Sequence, residues 1–276
     1  MNLIIQAPAI TLADANALAK LSAASSTERV SDSAFKLHGA VRETGVTDYC
    51  ERAQLDFAFV HGNRRLTDLG LLAMDMDSTL ITIECIDEIA DLNGLKPQVA
   101  GITAAAMRGE IDFTESLTRR VALLQGLEER ALQRVYDERL SLSPGAEQML
   151  AAMRRAGIKT LLVSGGFTFF TERLKTRLGI DFTASNQLEI RNGELTGKLL
   201  GKILDASGKA AALMRSRSDL GLTRDQTIAI GDGANDLPML AEAGISIAYH
   251  AKPIVRERAT YALNHVGLDG VVNLFA

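Results

Sequence analysis

Asp75-Met76-Asp77-Ser78-Thr79 sets two carboxylates one residue apart, directly after the apolar run Leu71-Leu72-Ala73-Met74. On an extended segment, residues two apart point the same way, so both carboxylates can face one pocket. Like charges brought together lose hydration and repel. A fold carries that cost where a cation, a proton or a substrate is held. An EF-hand calcium loop fails here, because Thr79 and Leu80 stand where Asp/Asn and Gly are required. A solvated acidic turn fits poorly behind a buried strand. A nucleophile with a general acid/base beside a metal fits both carboxylates. A carboxylate nucleophile suits a phosphoryl group, giving an aspartyl phosphate that water hydrolyses. Attack of an anion on a phosphate dianion needs charge neutralised by Mg²⁺ and by cationic or N–H donors.

Two further segments and one lysine could supply those parts. Ser164-Gly165-Gly166 offers a hydroxyl and backbone N–H groups at the start of a helix, where phosphate oxygens are readily cradled. A plain glycine turn is the competing reading. Gly231-Asp232-Gly233-Ala234-Asn235-Asp236 offers two carboxylates for metal ligation and glycines that allow close backbone approach. Taken alone, such a turn is also common as mere structure. Lys209 opens a helical run to Arg215, and a lone lysine there is ordinarily a solvated face residue. Only the company of the other segments raises it.

Apolar strand candidates precede each polar segment: Leu71–Met74, Thr160–Val163 and Thr227–Ile230. Helical stretches separate them, including Ala146 to Ala156 stopped by Gly157 and Phe169 to Leu178 stopped by Gly179. Strands alternating with helices imply βαβ units and a parallel sheet, whose loops emerge on one edge and converge. Roughly 80 residues separate the first two loops, far more than a crossover helix needs. Glu84 to Leu140 reads as mostly helical and is expected to stand over the site as a lid. Residues 1 to about 68 are expected to be a small α/β regulatory or packing module without catalytic pattern. Within it lie a strand at Leu3 to Gln6, a helix at Leu12 to Leu21, a polar stretch from Ser22 to Ser33, alternating Phe35/Leu37, and a helix-like segment around Tyr49 to Phe57.

At 276 residues, 47% hydrophobic and 23% charged, the chain has the composition of an ordinary globular protein with one large domain or two unequal ones. A net charge of −4 gives no reason to expect nucleic acid or an anionic membrane as partner. Cys50 and Cys85 form no disulfide framework, and no run approaches the ~20 apolar residues of a membrane span. With no basic n-region ahead of Lys20, a cytoplasmic location is expected. Cys85, His250 and His265 lack partners at metal or triad spacing and are read as structural.

In order and spacing, Asp75–Thr79, Ser164, Lys209 and Gly231–Asp236 resemble the four motifs of the haloacid dehalogenase superfamily of phosphatases. Asp75 through Ala90, Met107-Arg108-Gly109, Phe113 through Val121, Val163 through Phe167 and Gly231 through Met239 are similar to its phosphoserine phosphatase branch. The resemblance covers about residues 70 to 270. It implies a three-layer αβα Rossmann-like core with a parallel sheet and a helical cap, at about 84–140, inserted after the first motif. The opening piece, 1–68, would be a small N-terminal α/β module, ACT-like in bacterial relatives, and 69–276 the catalytic domain.

The implied reaction is Mg²⁺-dependent hydrolysis of O-phospho-L-serine, the last step of the phosphorylated route to serine. Asp75 would be the nucleophile. Asp77 would protonate the leaving oxygen and then activate water. Mg²⁺ would bind Asp75, Asp232 and the backbone carbonyl of Asp77, with Asp236 ordering its water shell. Ser164, the Gly165 N–H and Lys209 would hold the phosphoryl oxygens, with Asn235 nearby. Glu84 would read the ammonium and Arg120 the carboxylate of the amino acid, which suits their charges. Met107 and Phe113 would line the cap's apolar face. Without the resemblance, Glu84 reads as an acid at a helix N-terminus and Arg120, beside Arg119, as a surface charge. The expected partner is this small molecule, with no nucleic acid, no membrane, and a homodimer left open. The alternatives are a phosphotransferase to a hydroxyl such as that of homoserine, another small-metabolite phosphatase, and a non-catalytic amino-acid sensor.

Overall fold

The structure, a computed structural model, describes residues 1–60 and 64–276. Six elements make up the opening piece: β1 (Asn2–Gln6), α1 (Leu12–Ser22), β2 (Ser26–Ser31), β3 (Ala34–His38), α2 (Val46–Ala53) and β4 (Asp56–Val60). The strands pair antiparallel in the order β2-β3-β1-β4. The middle of β1, Leu3 to Ile5, is an unbroken apolar run because both faces of the strand are buried. Leu3 and Ile5 pack with Leu18, Phe35 and Leu37 in a core of their own. Ile4 and Ala58 face the other way, into the main core. The Asp56 carboxylate fastens this sheet to the rest by accepting the backbone N–H groups of Asn264, His265 and Val266 at 2.7, 2.9 and 3.0 Å.

This piece holds one strand at a stretch the sequence left unassigned, and one expectation for it is corrected. The polar stretch Ser22 to Ser33 contains β2, an edge strand whose solvent-facing residues carry no apolar signal. The helix around Tyr49 to Phe57 ends at Ala53, where Gln54 turns left-handed at φ 53°, and Phe57 belongs to β4.

The larger sheet begins with β5 (Leu71–Met74). Helices α3 (Cys85–Leu92), α4 (Lys96–Met107), α5 (Phe113–Ala122), α6 (Arg130–Glu138) and α7 (Ala146–Arg155) follow. Then come β6 (Lys159–Phe167), α8 (Thr168–Leu178), β7 (Phe182–Arg191), β8 (Glu194–Leu200), α9 (Ala206–Asp219), β9 (Thr227–Gly231), α10 (Leu237–Glu242), β10 (Ile245–Tyr249) and β11 (Tyr261–Leu263). The sheet order is β11-β10-β9-β5-β6-β7-β8, parallel except for β8. Along β5, Leu71 and Ala73 pack with Leu213 of α9 and Leu240 of α10. Leu72 and Met74 pack on the opposite face with Met149 of α7 and Phe170 of α8. Burial on both faces is the reason the strand reads as continuous hydrophobic sequence. The three-layer αβα core is thus present. β5 lies between β6 and β9, so the three motif-bearing strand ends are neighbours.

Helices α3 to α6 leave and re-enter the core through a paired neck, in which Thr82 N donates to Ser141 O (2.9 Å) and Ser143 N to Leu80 O (3.0 Å). The β7–β8 hairpin was not legible in the sequence. Its β8 side meets the chain after α5 through Gly126 N to Leu195 O and Leu195 N to Leu127 O, both 2.8 Å. The α5 side of the insertion is therefore tied to the core sheet by backbone bonds. Among the described residues no helix is long and apolar enough to cross a membrane.

Candidate active site

The chain leaves β5 through Asp75, whose N–H still bonds Ile230 O of β9 at 3.0 Å. Asp77 stays extended (φ −65°, ψ 135°), and Ser78 then takes a left-handed conformation at φ 55°. For a residue with a Cβ that conformation costs about 1–3 kcal/mol, a type of strain concentrated at functional sites. The turn brings both carboxylates onto one cavity. Asp75 Oδ1 accepts Met76 N at 2.7 Å. Asp77 Oδ1 accepts Cys85 N at 3.0 Å, and its Oδ2 accepts Ser164 Oγ at 3.4 Å. Burial raises the Asp77 pKa, against the Cys85 and Ser164 bonds and Lys209. Cys85 thus contributes its backbone here, while its thiol is buried.

Ser164 to Gly166 continues β6 rather than forming the expected loop, and the ladder to β7 shifts register between Val163 and Phe167. Helix α8 starts only at Thr168. Glycine is required at Gly166, because a Cβ there would stand 2.8 Å from Asp77 Oδ2. Asn186, which the sequence reading missed, is a buried strut: its Nδ2 donates to Gly165 O (2.8 Å) and its Oδ1 accepts Leu204 N (2.7 Å). It joins the Ser164 segment to the chain entering α9. A buried amide inside an ordinary β-strand pattern carried no signal for that role.

Lys209 projects from α9 into the base of the site, where it is 1% exposed. Its Nζ lies 2.8 Å from Asp75 Oδ1 and 2.8 Å from Asp236 Oδ1. Burial alone would lower the lysine pKa, but the Asp75 and Asp236 charges outweigh it and hold the group above its ordinary value. Asp75 is raised, by burial first and by the Asp236 charge second, with Lys209 opposing. Asp236 Oδ2 also accepts Gly233 N at 3.0 Å, and a Cβ on Gly231 would come within 2.6 Å of the Asp236 side chain. Asp232 Oδ1 accepts Thr79 Oγ1 at 3.1 Å, and burial together with Asp236 raises its pKa. One carboxylate oxygen each from Asp75, Asp232 and Asp236 lies within 4.8 Å of the other two. Three carboxylates against one lysine leave excess negative charge in a mostly buried place. Hard oxygen donors of this kind fit a divalent cation.

The cavity has a volume of about 570 Å³, and the inserted helices form its opposite wall. Glu84, Phe113, Met107 and Arg120 line it together with Asn235. Glu84 sits at the N-cap of α3 but makes no capping bond with its side chain; its Oε1 accepts Ser78 Oγ at 2.8 Å instead. Crowding by protein and the Asp77 charge push its carboxyl up to about 7, although the residue is exposed to solvent. Helical geometry separates the arginine doublet. Arg119 pairs with Glu115 on the exposed side, while Arg120 turns inward and lines the cavity. Lys252, not singled out from sequence, lines the same cavity, and its N–H bonds Asp232 O at 3.2 Å. His250 bonds Val266 O through its ring, and neither it nor His265 lines the cavity.

Residues 72–241 match the family described as haloacid dehalogenase-like hydrolase, and residues 3–48 match a domain of unknown function. The chain is 55% identical over 216 residues to a phosphoserine phosphatase of Albidiferax ferrireducens, covering 76% of this chain and 91% of that protein. The solved structure of a probable phosphoserine phosphatase from Vibrio cholerae, in unliganded form, superimposes with a TM-score of 0.88. It is 37% identical, and the match covers 99% of this chain and 86% of that one. A haloacid dehalogenase family hydrolase from Salmonella enterica serovar Typhi gives 0.90 at 33% identity, over 100% and 99% of the two chains.

Proposed function

The chain belongs to the haloacid dehalogenase-like hydrolases, and from that membership we propose how its site acts as a phosphatase of O-phospho-L-serine. The substrate reading is carried by one observation. The cavity holding Asp75 and Asp77 is walled by an acid and a base, Glu84 and Arg120, at the side away from the sheet. A phosphate at the sheet edge leaves the rest of a small amino acid facing that wall, ammonium to Glu84 and carboxylate to Arg120.

Asp75 attacks phosphorus, and the P–O bond to the serine oxygen breaks as the Asp75–phosphorus bond forms. Asp77, whose raised pKa favours a proton on its carboxyl, donates that proton to the departing serine oxygen. As a carboxylate it then takes a proton from water, which attacks the phosphorus of the aspartyl phosphate and frees Asp75. Lys209, Ser164 and the Gly165 N–H hold the phosphoryl oxygens, and Asn235 stands beside them. Mg²⁺ would be held by Asp75, Asp232 and the Asp77 carbonyl, with Asp236 behind, and would supply positive charge against the phosphate dianion. Met107 and Phe113 give the cavity its apolar cover.

Phosphate release from O-phospho-L-serine and from an aryl phosphate, each with and without Mg²⁺, tests this reading in the wild type and in Arg120→Ala. Release is expected only with the metal. Arg120→Ala should raise KM for phosphoserine by about 100-fold, as loss of a charged bidentate contact would, and leave KM for the aryl phosphate within about twofold. Equal effects on both substrates would remove Arg120 from recognition. With homoserine added to the phosphoserine assay, phosphorylated homoserine appearing in place of free phosphate would make the chain a transferase.

Glu84 must be ionised to hold an ammonium, so binding strengthens as pH rises through its pKa. Solvent access and a bound cation both draw that value down from about 7. Alongside the substrate's own phosphate limb near about 6, kcat/KM is expected to show a second rising limb at or below about 7. A pH profile of Glu84→Gln should keep only the phosphate limb; an unchanged two-limb profile would assign the second to another group.

A further inference from the structure

Among the described residues, three buried side-chain polar atoms lack any hydrogen-bond partner. Two of them, Asp87 Oδ1 and Thr103 Oγ1, belong to residues lining the cavity just described. A carboxylate oxygen shut away from water without a donor bears its full desolvation cost. In the wall of a binding site, that marks a place where a donor arrives. Arg120, on α5 and lining the same cavity, has donors to spare. Its Nε makes one long bond, 3.4 Å to Ser116 O, and its two terminal nitrogens bond no protein group among the described residues. Asp87 and Arg120 line the same cavity, no ion pair among the described residues joins them, and of the carboxylates that offset burial of the Arg120 charge Asp87 comes first, ahead of Glu84 and Asp77.

We propose that Asp87 is a positioning residue that takes one edge of the Arg120 guanidinium and leaves the other edge aimed at the substrate carboxylate. A guanidinium presents its donors as a planar fork, so fixing one edge sets the plane of the other. Holding the long side chain before substrate arrives also removes an ordering cost from binding. Glu84 remains the group for the ammonium. The inference rests on the phosphoserine reading and adds to it a residue that no motif had singled out.

Steady-state kinetics on three substrates test it: O-phospho-L-serine, phosphoethanolamine, which lacks the carboxylate, and 3-phosphooxypropanoate, which lacks the ammonium. Asp87→Asn keeps the side chain's shape and removes its charge. It is expected to raise KM about tenfold for the two carboxylate-bearing substrates and less than about twofold for phosphoethanolamine, with kcat on phosphoserine within about twofold. In an Arg120→Ala background the same change should add nothing, since its effect passes through Arg120. An equal loss on all three substrates would make Asp87 merely structural and overturn the proposal. A loss on phosphoserine and phosphoethanolamine that spares 3-phosphooxypropanoate would place Asp87 on the ammonium and overturn it equally. The wild type alone separates the underlying reading: turnover of phosphoethanolamine as efficient as that of phosphoserine would remove the amino-acid substrate itself.

Discussion

Asp75→Asn is expected to lower turnover of O-phospho-L-serine by about 10⁴-fold or more, because an amide cannot form the acyl phosphate on which both halves of the reaction depend. The fold should survive the change. Asp75 is buried, and burial together with Asp236 already disfavours its charged form. Lys209 keeps Asp236 at 2.8 Å as its partner when Asp75 is neutralised. Without added metal, the variant's Tm is expected to equal or exceed that of the wild type. The rise in Tm on adding a divalent cation should shrink, since one of three clustered carboxylates is gone. Acid quenching of the wild type during turnover of ³²P-labelled substrate should trap label on protein, and the variant should trap none. More than a few per cent of wild-type turnover in Asp75→Asn would remove Asp75 as nucleophile.

How much of this site was legible in the sequence depended on whether a residue's role is local. Asp75 and Asp77 were legible because an apolar strand running into paired acids is a local pattern, and the observed strand ends one residue before Asp75. Convergence of the three strand ends was legible for a topological reason, since parallel strands deliver their loops to one edge. Lys209 is different. Its burial against Asp75 and Asp236 joins residues far apart in the chain, and α9 alone looks like any polar helix carrying basic residues.

The inner groups were the hardest to see. Asn186 acts through Gly165 O and Leu204 N, and it pairs with Phe167 just past the register shift in β6. Asp87 lies in the first turn of α3, where an acid is ordinary helix chemistry, and only its missing partner sets it apart. The opening piece was misread where two periods compete. Tyr49 and Phe57 can be placed on one helix face, but Phe57 and Phe59 also alternate as a strand, and the left-handed turn at Gln54 decides between them.

Lys209→Met should be the most destabilising single change in the site, because it removes a buried cation that touches two buried carboxylates. Methionine fills a similar volume, so the loss is electrostatic rather than a cavity. Breaking a buried pair by removing one partner costs about 3–5 kcal/mol. At roughly 2–4 °C per kcal/mol for a chain of this size class, Tm should fall by about 10 °C. A lysine whose folded pKa is raised contributes its stability fully below its unfolded value and loses it as pH rises through the folded one. The whole contribution is therefore present at neutral pH, which is where the wild type and the variant should differ. Lowering the pH should narrow the gap. Asp75 is already pushed toward its protonated form by burial, and without Lys209 it takes up a proton more readily, which relieves the unpaired charge. A divalent cation should narrow the gap at neutral pH for the same reason, by giving the carboxylates another positive partner. Turnover should still be lost by about 10²–10³-fold at saturating metal, since among the described residues no other side-chain cation pairs with Asp75. Thermal melts of both proteins across pH, with and without Mg²⁺, check the scheme. A gap that neither acid nor metal narrows would mean that Lys209 holds the site by packing and not by charge.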